Sequence, residues 1–365
     1  MDKLKTIWQK FTHQMKTHET YKFILIGVVL AILFLAPYTN LIPGGRSSND
    51  QLAIMAIYAI AALGINLLLG FSGLISLATA GFMGAGALGV TVLMTDIPIP
   101  FTDQRGLPFI VSVIIILGIS GALGALVGAI SLRVQGIYLA ITTLFVAQIL
   151  HTIFTSLRSV FGDATGISLG ALRLFGGAIT LDRNVPYGFG LDRYLLFLMI
   201  VVVLVLTMII IHNVIKSRTG RAFMAMSRSH NAAQAMGVNV VKYRVMAFVL
   251  ATVFAALSGV MYAIWNQTVP NNRWDLMISL TIVAVVVVGG LKSITGTILG
   301  AFMIYAFPRI FLGFLADYNI VGGLLIIFVI LFYPNGLIYI VTDVKKLIAK
   351  FKQRHNKKQV KTDES

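Results

Sequence analysis

The sequence IKSRTGRAFMAMSRSHNAAQAMGVNVVKY, which is Ile215–Tyr243, is a basic segment with a long apolar run on each side. The preceding run is Tyr194–Val214 and the following run is Arg244–Ile264. Each run is long enough to cross a hydrocarbon core of roughly 30 Å as a helix that rises about 1.5 Å per residue. The pattern therefore predicts two membrane-spanning helices joined by a long polar loop.

Within this loop, Ala232–Gly237 predicts a short helix. Ser229 or Asn231 can cap its first turn, and Gly237 can adopt the left-handed conformation that ends a helix. The Ala, Gln and Met residues between them have high helix propensity. A short helix held between two membrane spans is suited to passing movement to a partner protein.

The composition indicates an all-α polytopic membrane protein. Of the 365 residues, 58% are hydrophobic and only 12% are charged, and the mean hydropathy is +0.89. A soluble domain carries far more charge. The chain has no cysteine, which excludes disulfides and thiolate metal sites. In so apolar a chain, the net charge of +16 indicates loops and tails that face anionic membrane lipid, not nucleic acid.

The apolar runs predict about ten transmembrane helices. The eighth predicted span, Leu276–Gly290, is short, and the third, Leu77–Thr95, is rich in glycine, so either could be broken or re-entrant. The predicted spans are Phe23–Ile42, Leu52–Leu69, Leu77–Thr95, Phe109–Leu132, Ile137–Leu157, Tyr194–Val214, Arg244–Ile264, Leu276–Gly290, Gly296–Phe314 and Val321–Val341.

The distribution of Lys and Arg predicts that both termini are cytoplasmic. With the N-terminus inside, inner segments hold 21 of the 29 basic residues and outer segments hold seven, as the positive-inside rule requires. The expected organisation is one transmembrane domain at residues 23–342 between basic cytoplasmic tails at 1–22 and 343–365. The loop at 215–243 is then cytoplasmic, and the long loop at 158–193 lies outside.

Few ionisable residues lie inside the predicted spans, and this argues against an ion-coupled transporter. His151 is in the fifth span, and Arg309 in the ninth is placed to pair with Asp317 or to extend to the outer interface. The chain also lacks the Gly-x-x-x-x-Gly-Lys-Ser/Thr loop that holds ATP phosphates. We therefore predict no catalytic residue, no cofactor and no metal, and expect the driving energy to come from another subunit.

Small polar residues lie among glycines at the predicted turn between the second and third spans. This turn could leave backbone groups facing a water-filled path, or it could be a tight hairpin whose hydroxyls bond their own carbonyls. A further path candidate in the fifth span is Gln148. The candidates at the turn are Asn66, Ser72, Ser76 and Thr79.

Four blocks of this sequence resemble, in order, those of permease subunits of branched-chain amino acid ABC importers, specifically the second, M-type permease. Individually each block is a weak match, but four in the expected order are specific. Together they extend over most of the chain, from Gly64 to Ala301. The blocks are Gly64–Gly86, Leu132–Leu144, Gly220–Met226 with Ala232–Gly237, and Val288–Gly300.

This resemblance implies a type II-like ABC importer permease in the plasma membrane of a prokaryote. Its implied partners are cytoplasmic ABC ATPase subunits, an extracellular or periplasmic substrate-binding protein, and a second homologous permease, with a homodimer as the alternative. The loop that would couple to the ATPase includes Gly220, Arg221, Arg228, Ala232, Ala233 and Gly237.

Two positions depart from the family pattern. Ala78-Thr79 stands where the family often has Gly-His, which leaves a path role for Thr79 open. Asn231 stands where importer loops often have an acidic residue, so contact with an ATPase would rely on shape and on the arginines.

The M-type match favours leucine, isoleucine and valine as substrates. Permeases of urea, short amides or nucleosides are the alternatives within the superfamily. An ion-coupled secondary transporter is the alternative from a different class.

Overall fold

The computed structural model describes residues 19–35, 46–95, 106–134, 136–169, 172–174, 179–181 and 191–311, with separate positions between 323 and 337. Most of these residues are helical. The first helices are α1 (Glu19–Leu35), α2 (Arg46–Ile65), α3 (Thr79–Thr95), α4 (Phe109–Ile130), α5 (Ile137–Ser156) and α6 (Arg158–Phe161). The later ones are α7 (Leu191–Lys216), α8 (Arg218–Arg228), α9 (His230–Ala235), α10 (Val240–Asn266), α11 (Leu276–Gly289), α12 (Ile294–Ala301) and α13 (Phe307–Phe311).

Within the described part of the chain, five helices are long and apolar enough to cross a membrane. They are Asp50–Phe71, Phe109–Arg133, Ile137–Ser156, Arg193–Lys216 and Val240–Asn266. Shorter apolar helices lie in the third and eighth predicted spans and in the described parts of the first and ninth. The third is continuous over Thr79–Thr95, whereas α11 has only 14 residues. The predicted tenth span and both predicted tails lie mainly or wholly outside the described residues.

Contacts between helix termini gather at two separate ends of the molecule. At one end, Asp50 in α2 pairs with Arg193 in α7, and Gln51 accepts a hydrogen bond of 2.7 Å from Arg309. At the other end, Asn66 accepts a hydrogen bond from the turn between α11 and α12. About 24 Å of helix separates these Asp50 and Asn66 ends. Helix termini at two opposite ends agree with a chain that crosses the bilayer repeatedly. That the Asn66 end is cytoplasmic remains a prediction.

The core is built around α2 and α10, which are largely enclosed by the other helices. Glycines bring α3 and α10 together: a Cβ added at Gly86 would overlap the carbonyl of Ala256, and one at Gly259 would overlap the carbonyl of Met83. Because both contacts are with backbone, this crossing depends on the absence of side chains. By contrast, α4 and α5 leave most of their surface exposed.

Two helices are interrupted by π-helical segments. Asn66–Phe71 continues α2 as a π-helix, and Phe302–Ala306 joins α12 to α13 in the same way. The extra residue per turn rotates the side chains that follow, and such segments often occur at functional sites. The first of them places Asn66 against the α11–α12 turn.

Short strands order part of the loop at 158–193, which the sequence predicts to be outer. β1 (Ile167–Ser168) pairs antiparallel with β4 (Thr268–Val269), and β2 (Leu172–Leu174) pairs with β3 (Ile179–Leu181). The β1–β4 pair ties the loop to the segment after α10.

Candidate functional site

The polar loop between α7 and α10 contains two helices. Ser217 caps α8 by accepting a hydrogen bond of 3.2 Å from the Thr219 amide. One face of α8 is buried and includes Gly220 and Phe223, and the Phe223 ring packs edge-on against Tyr243 at 6.3 Å between ring centroids. The face with Arg221 is exposed. This amphipathic pattern docks α8 on the start of α10.

The second helix, α9, confirms the predicted capping. Ser229 accepts a hydrogen bond of 3.3 Å from the Ala232 amide, and Gly237 has a φ of +80°. The Val238 amide donates to the Ala233 carbonyl at 3.0 Å and closes the C-terminus. The helix extends over His230–Ala235, two residues earlier than predicted.

The orientation of α9 leaves one side chain inward and most others outward. Ala233 is only 4% exposed and belongs to the main apolar core. Ala232 and Gly237 are exposed, as is Arg228 at the end of α8. Met236, which the sequence analysis did not single out, is 85% exposed. An apolar residue this exposed at the end of a docked helix is suited to enter a pocket of another protein.

A buried arginine anchors the loop to the membrane helices. Arg244 donates through Nη1 to the Ser131 carbonyl at 3.0 Å, and its Nη2 lies 3.4 Å from His230 Nε2. Burial lowers the pKa of His230, and the positive charge of Arg244 lowers it further. The neutral imidazole can therefore accept from the guanidinium, so α4, α9 and α10 are held together.

An open cleft of about 490 Å³ lies beside the contact between α8 and the start of α10. Three cations line it, Arg218, Arg221 and Lys242, and no acidic residue is among its described lining residues. The side of the loop that faces away from the core is thus strongly basic.

Asn66, the first of the predicted path residues, joins distant parts of the chain. Its Nδ2 donates to the Ser293 carbonyl at 3.0 Å and to Thr297 Oγ1 at 2.7 Å. Its Oδ1 accepts from the Lys292 amide at 3.0 Å. A Cβ at Gly70 would overlap Asn66 Oδ1, so this glycine leaves room for the amide.

The other predicted path residues fall into separate environments. Ser72 Oγ donates to the Leu67 carbonyl at 3.1 Å, as the hairpin alternative expects. Ser76 and Thr79 line one small cavity with Thr252, and its volume is about 10 Å³, near the minimum for one water molecule. Thr79 Oγ1 is buried there with no hydrogen-bond partner. Gln148 lies apart from this group on the exposed surface of α5.

The two ionisable residues noted in the spans are both engaged. His151 Nε2 lies 3.3 Å from the Asn272 carbonyl. Arg309 Nη1 donates to Gln51 Oε1 rather than extending freely, and the suggested partner Asp317 lies outside the described residues. Among the described residues, no group of three or more His, Asp or Glu side chains could hold a metal ion.

Sequence reasoning did not find the aromatic cluster on the Asp50 side of the core. Tyr58 stacks on Tyr305 of the second π-helix, with ring centroids 4.3 Å apart and an angle of 9°. The Arg273 guanidinium lies 5.1 Å from the Tyr262 ring centroid. The partners are more than 200 positions apart, so no local pattern could have revealed the stacked pair.

We expect Asn66→Ala to lower the thermal unfolding midpoint of the detergent-purified protein by several degrees. The change leaves the Lys292 amide without its partner, which costs roughly 1–3 kcal/mol, and it removes one hydrogen bond each from the Ser293 carbonyl and from Thr297 Oγ1. The matched control is Ser72→Ala, which removes one hydrogen bond within its own turn. Equal midpoints for the two variants would contradict a structural role for Asn66.

Comparisons with known proteins bear on the family of the chain. A family model described as the permease component of the branched-chain amino acid transport system matches residues 50–332. The high-affinity branched-chain amino acid transport system permease protein LivM of Salmonella typhimurium is 28% identical over 313 residues, 80% of this chain and 70% of that protein. LivM of Escherichia coli has the same identity and coverage.

A more distant relative is named for a different substrate. The fructose import permease protein FruG of Bifidobacterium longum is 23% identical over 222 residues, 59% of this chain and 63% of that protein. No solved structure matches the chain.

Proposed function

Because the chain belongs to the family of branched-chain amino acid transport system permease components, we propose that it is the permease subunit of an ATP-driven importer of leucine, isoleucine and valine. It is a multi-pass membrane protein, and we place it in the plasma membrane of a prokaryote with the Asn66 end in the cytoplasm. The observation that carries the proposal is the short helix α9, whose inner face is fixed in the core and whose outer face and Met236 are exposed.

In this proposal, α9 transmits movement from cytoplasmic ATPase subunits. Ser229 and Gly237 fix the two ends of the helix, and Ala233 fixes its inner face in the core. Met236 and the basic face of α8 are left for the ATPase. A force on α9 then reaches α10 and α4 through the Arg244 hydrogen bonds.

A second permease is proposed to cover the exposed face of α5. That face contains Ile141, Phe145, Ile149 and the polar amide of Gln148. An amide directed into hydrocarbon loses hydrogen bonds to water, so its place on a spanning helix favours cover by protein or by an aqueous path. The translocation path would lie between the two permeases, near the Ser76–Thr79 segment that leads into α3.

The substrate assignment rests on the LivM relatives, which match along most of the chain. Because FruG is named as a fructose import permease, other small polar solutes are the second candidate for the substrate. A substrate-binding protein would deliver the solute at the Asp50 end. The outer loop there is anchored by the β1–β4 pair and by the 2.6 Å hydrogen bond that Asn271 donates to the Gly162 carbonyl.

The test is ATP hydrolysis by the reconstituted complex of this chain, its second permease, its ATPases and its binding protein. Leucine, fructose, urea and a nucleoside are compared, and we expect leucine alone to stimulate hydrolysis severalfold. Stimulation only by another solute would overturn the substrate assignment. Uptake of leucine by this chain without an ATPase, driven by an ion gradient, would support the secondary-transporter alternative.

A further inference from the structure

A second pocket, of about 320 Å³, opens at the Asn66 end. Three lysines from three different elements line it: Lys22 of α1, Lys216 in the last turn of α7, and Lys292 in the α11–α12 turn. Phe23 and Phe71 form an apolar part of its wall. None of the described residues that line the pocket is Asp or Glu. We refer to it as the three-lysine pocket.

The charges in this pocket favour an anion with phosphate chemistry. Lysine ammonium groups donate strong, charge-assisted hydrogen bonds to phosphate oxygens, and three lysines line this one cavity. The hydroxyls of Ser293 and Thr295 lie on the same wall and add polar groups at its rim.

The conformation of Lys292 points to a role for its side chain. Its φ is +64°, a region that residues with a Cβ seldom adopt. The hydrogen bond to Asn66 uses only the backbone amide, so glycine would serve that bond with less strain. The presence of lysine there is explained if its charge has a ligand.

The surface beside the pocket is apolar, which distinguishes a lipid from a soluble anion. Beyond Lys22, α1 exposes Ile24, Val28 and Ile32 along one face. The neighbouring α7 exposes Leu206 and Ile210. The three-lysine pocket and the apolar helix faces are therefore adjacent, in the same order as the headgroup and the acyl chains of a phospholipid.

We propose that the three-lysine pocket binds the phosphate headgroup of an anionic phospholipid in the leaflet at the Asn66 end. Basic pockets between transmembrane helices are known to accept such headgroups. The bound lipid would neutralise the lysines and brace the α11–α12 turn that Asn66 also holds. This site is independent of the transported substrate.

The test measures lipid retained by the full-length purified protein. Native mass spectrometry, titrated with phosphatidylglycerol or phosphatidylcholine, gives the affinity for each lipid. We expect phosphatidylglycerol to bind tightly and phosphatidylcholine weakly. Each lysine removed should weaken phosphatidylglycerol binding about fivefold, and the triple change Lys22→Gln, Lys216→Gln and Lys292→Gly on the order of 100-fold.

The matched control removes the same number of charges from the basic cleft. It combines Arg218→Gln, Arg221→Gln and Lys242→Gln, and we expect its phosphatidylglycerol affinity to stay within about twofold of the unaltered protein. Glycine adopts the positive φ of position 292 readily, so the single variant Lys292→Gly preserves the backbone conformation. This variant tests the lipid site if the triple variant does not fold.

The outcomes separate the alternatives. Equal losses in the triple variant and in the control would show a general charge effect and overturn the proposal. Displacement of the lipid by millimolar inorganic phosphate would identify a site for a soluble anion instead. Full lipid binding by Lys292→Gly would also contradict the assignment.

Discussion

Gly259→Leu is expected to reduce folded protein in the membrane at least tenfold. A side chain at Gly259 meets the Met83 carbonyl, and the reciprocal position Gly86 meets the Ala256 carbonyl, so neither helix can yield by a rotamer change. Separating α3 from α10 opens the core at one of its two central helices, and overpacking of this kind costs on the order of 3 kcal/mol or more.

The control for this prediction is Gly118→Leu in α4. An added Cβ at Gly118 meets nothing within 4 Å, so the leucine should be tolerated. Membrane abundance and the elution profile of the detergent-solubilised protein measure both variants. Similar abundance of Gly259→Leu and Gly118→Leu would refute the glycine crossing.

The second large effect is expected at the end of α9. Gly237→Val should lower substrate-stimulated ATP hydrolysis at least tenfold while membrane abundance stays normal. The φ of +80° disfavours a β-branched residue by more than the roughly 1–2 kcal/mol typical of other side chains. Because an added Cβ at Gly237 meets nothing within 4 Å, the effect should come from backbone conformation alone.

Gly237→Asn is the matched control, since asparagine adopts the left-handed conformation far more readily. It should retain most of the stimulated activity. If both variants lost activity equally, a direct contact at position 237 would replace the conformational explanation. Normal stimulation by Gly237→Val would contradict the role of α9 in coupling.

Ala233→Asp tests the inner face of the same helix. Ala233 is buried in the core, and an unpaired carboxylate there costs several kcal/mol. The helix should undock, and stimulated ATP hydrolysis should be lost without loss of membrane insertion. The protein with Ala232→Asp, which places the same charge on the exposed face near the start of the helix, should remain docked.

The capping of α9 could be predicted because its determinants are local. Ser229 and Gly237 act on backbone groups within a few residues, and propensity rules describe such contacts well. The long apolar helices could be predicted for a similar reason, since length and hydropathy alone decide whether a segment crosses the bilayer.

The arrangement of the helices could not be predicted from the same patterns. The spanning helices are apolar on all sides, so their sequences do not mark the face that packs. Asn66 looked like a path residue among glycines, yet its partners lie more than 220 positions away in sequence. The π-helix that positions Asn66 has no distinct apolar period, and the Gly86–Gly259 crossing depends on two glycines that resemble many others.

The central claim is that α9 contacts an ATPase in the cytoplasm, and a single cysteine at its tip tests this directly. The chain has no cysteine of its own, so Met236→Cys can carry a photo-activatable maleimide in the assembled complex. Met277→Cys is the control, because Met277 is 70% exposed at the start of α11, towards the Asp50 end.

We predict that position 236 cross-links to the ATPase subunit and that position 277 does not. We also predict that a membrane-impermeant maleimide reaches position 277, but not position 236, from outside intact cells. Labelling of position 236 from outside, or no cross-link from it to an ATPase that is present in the complex, would contradict the account.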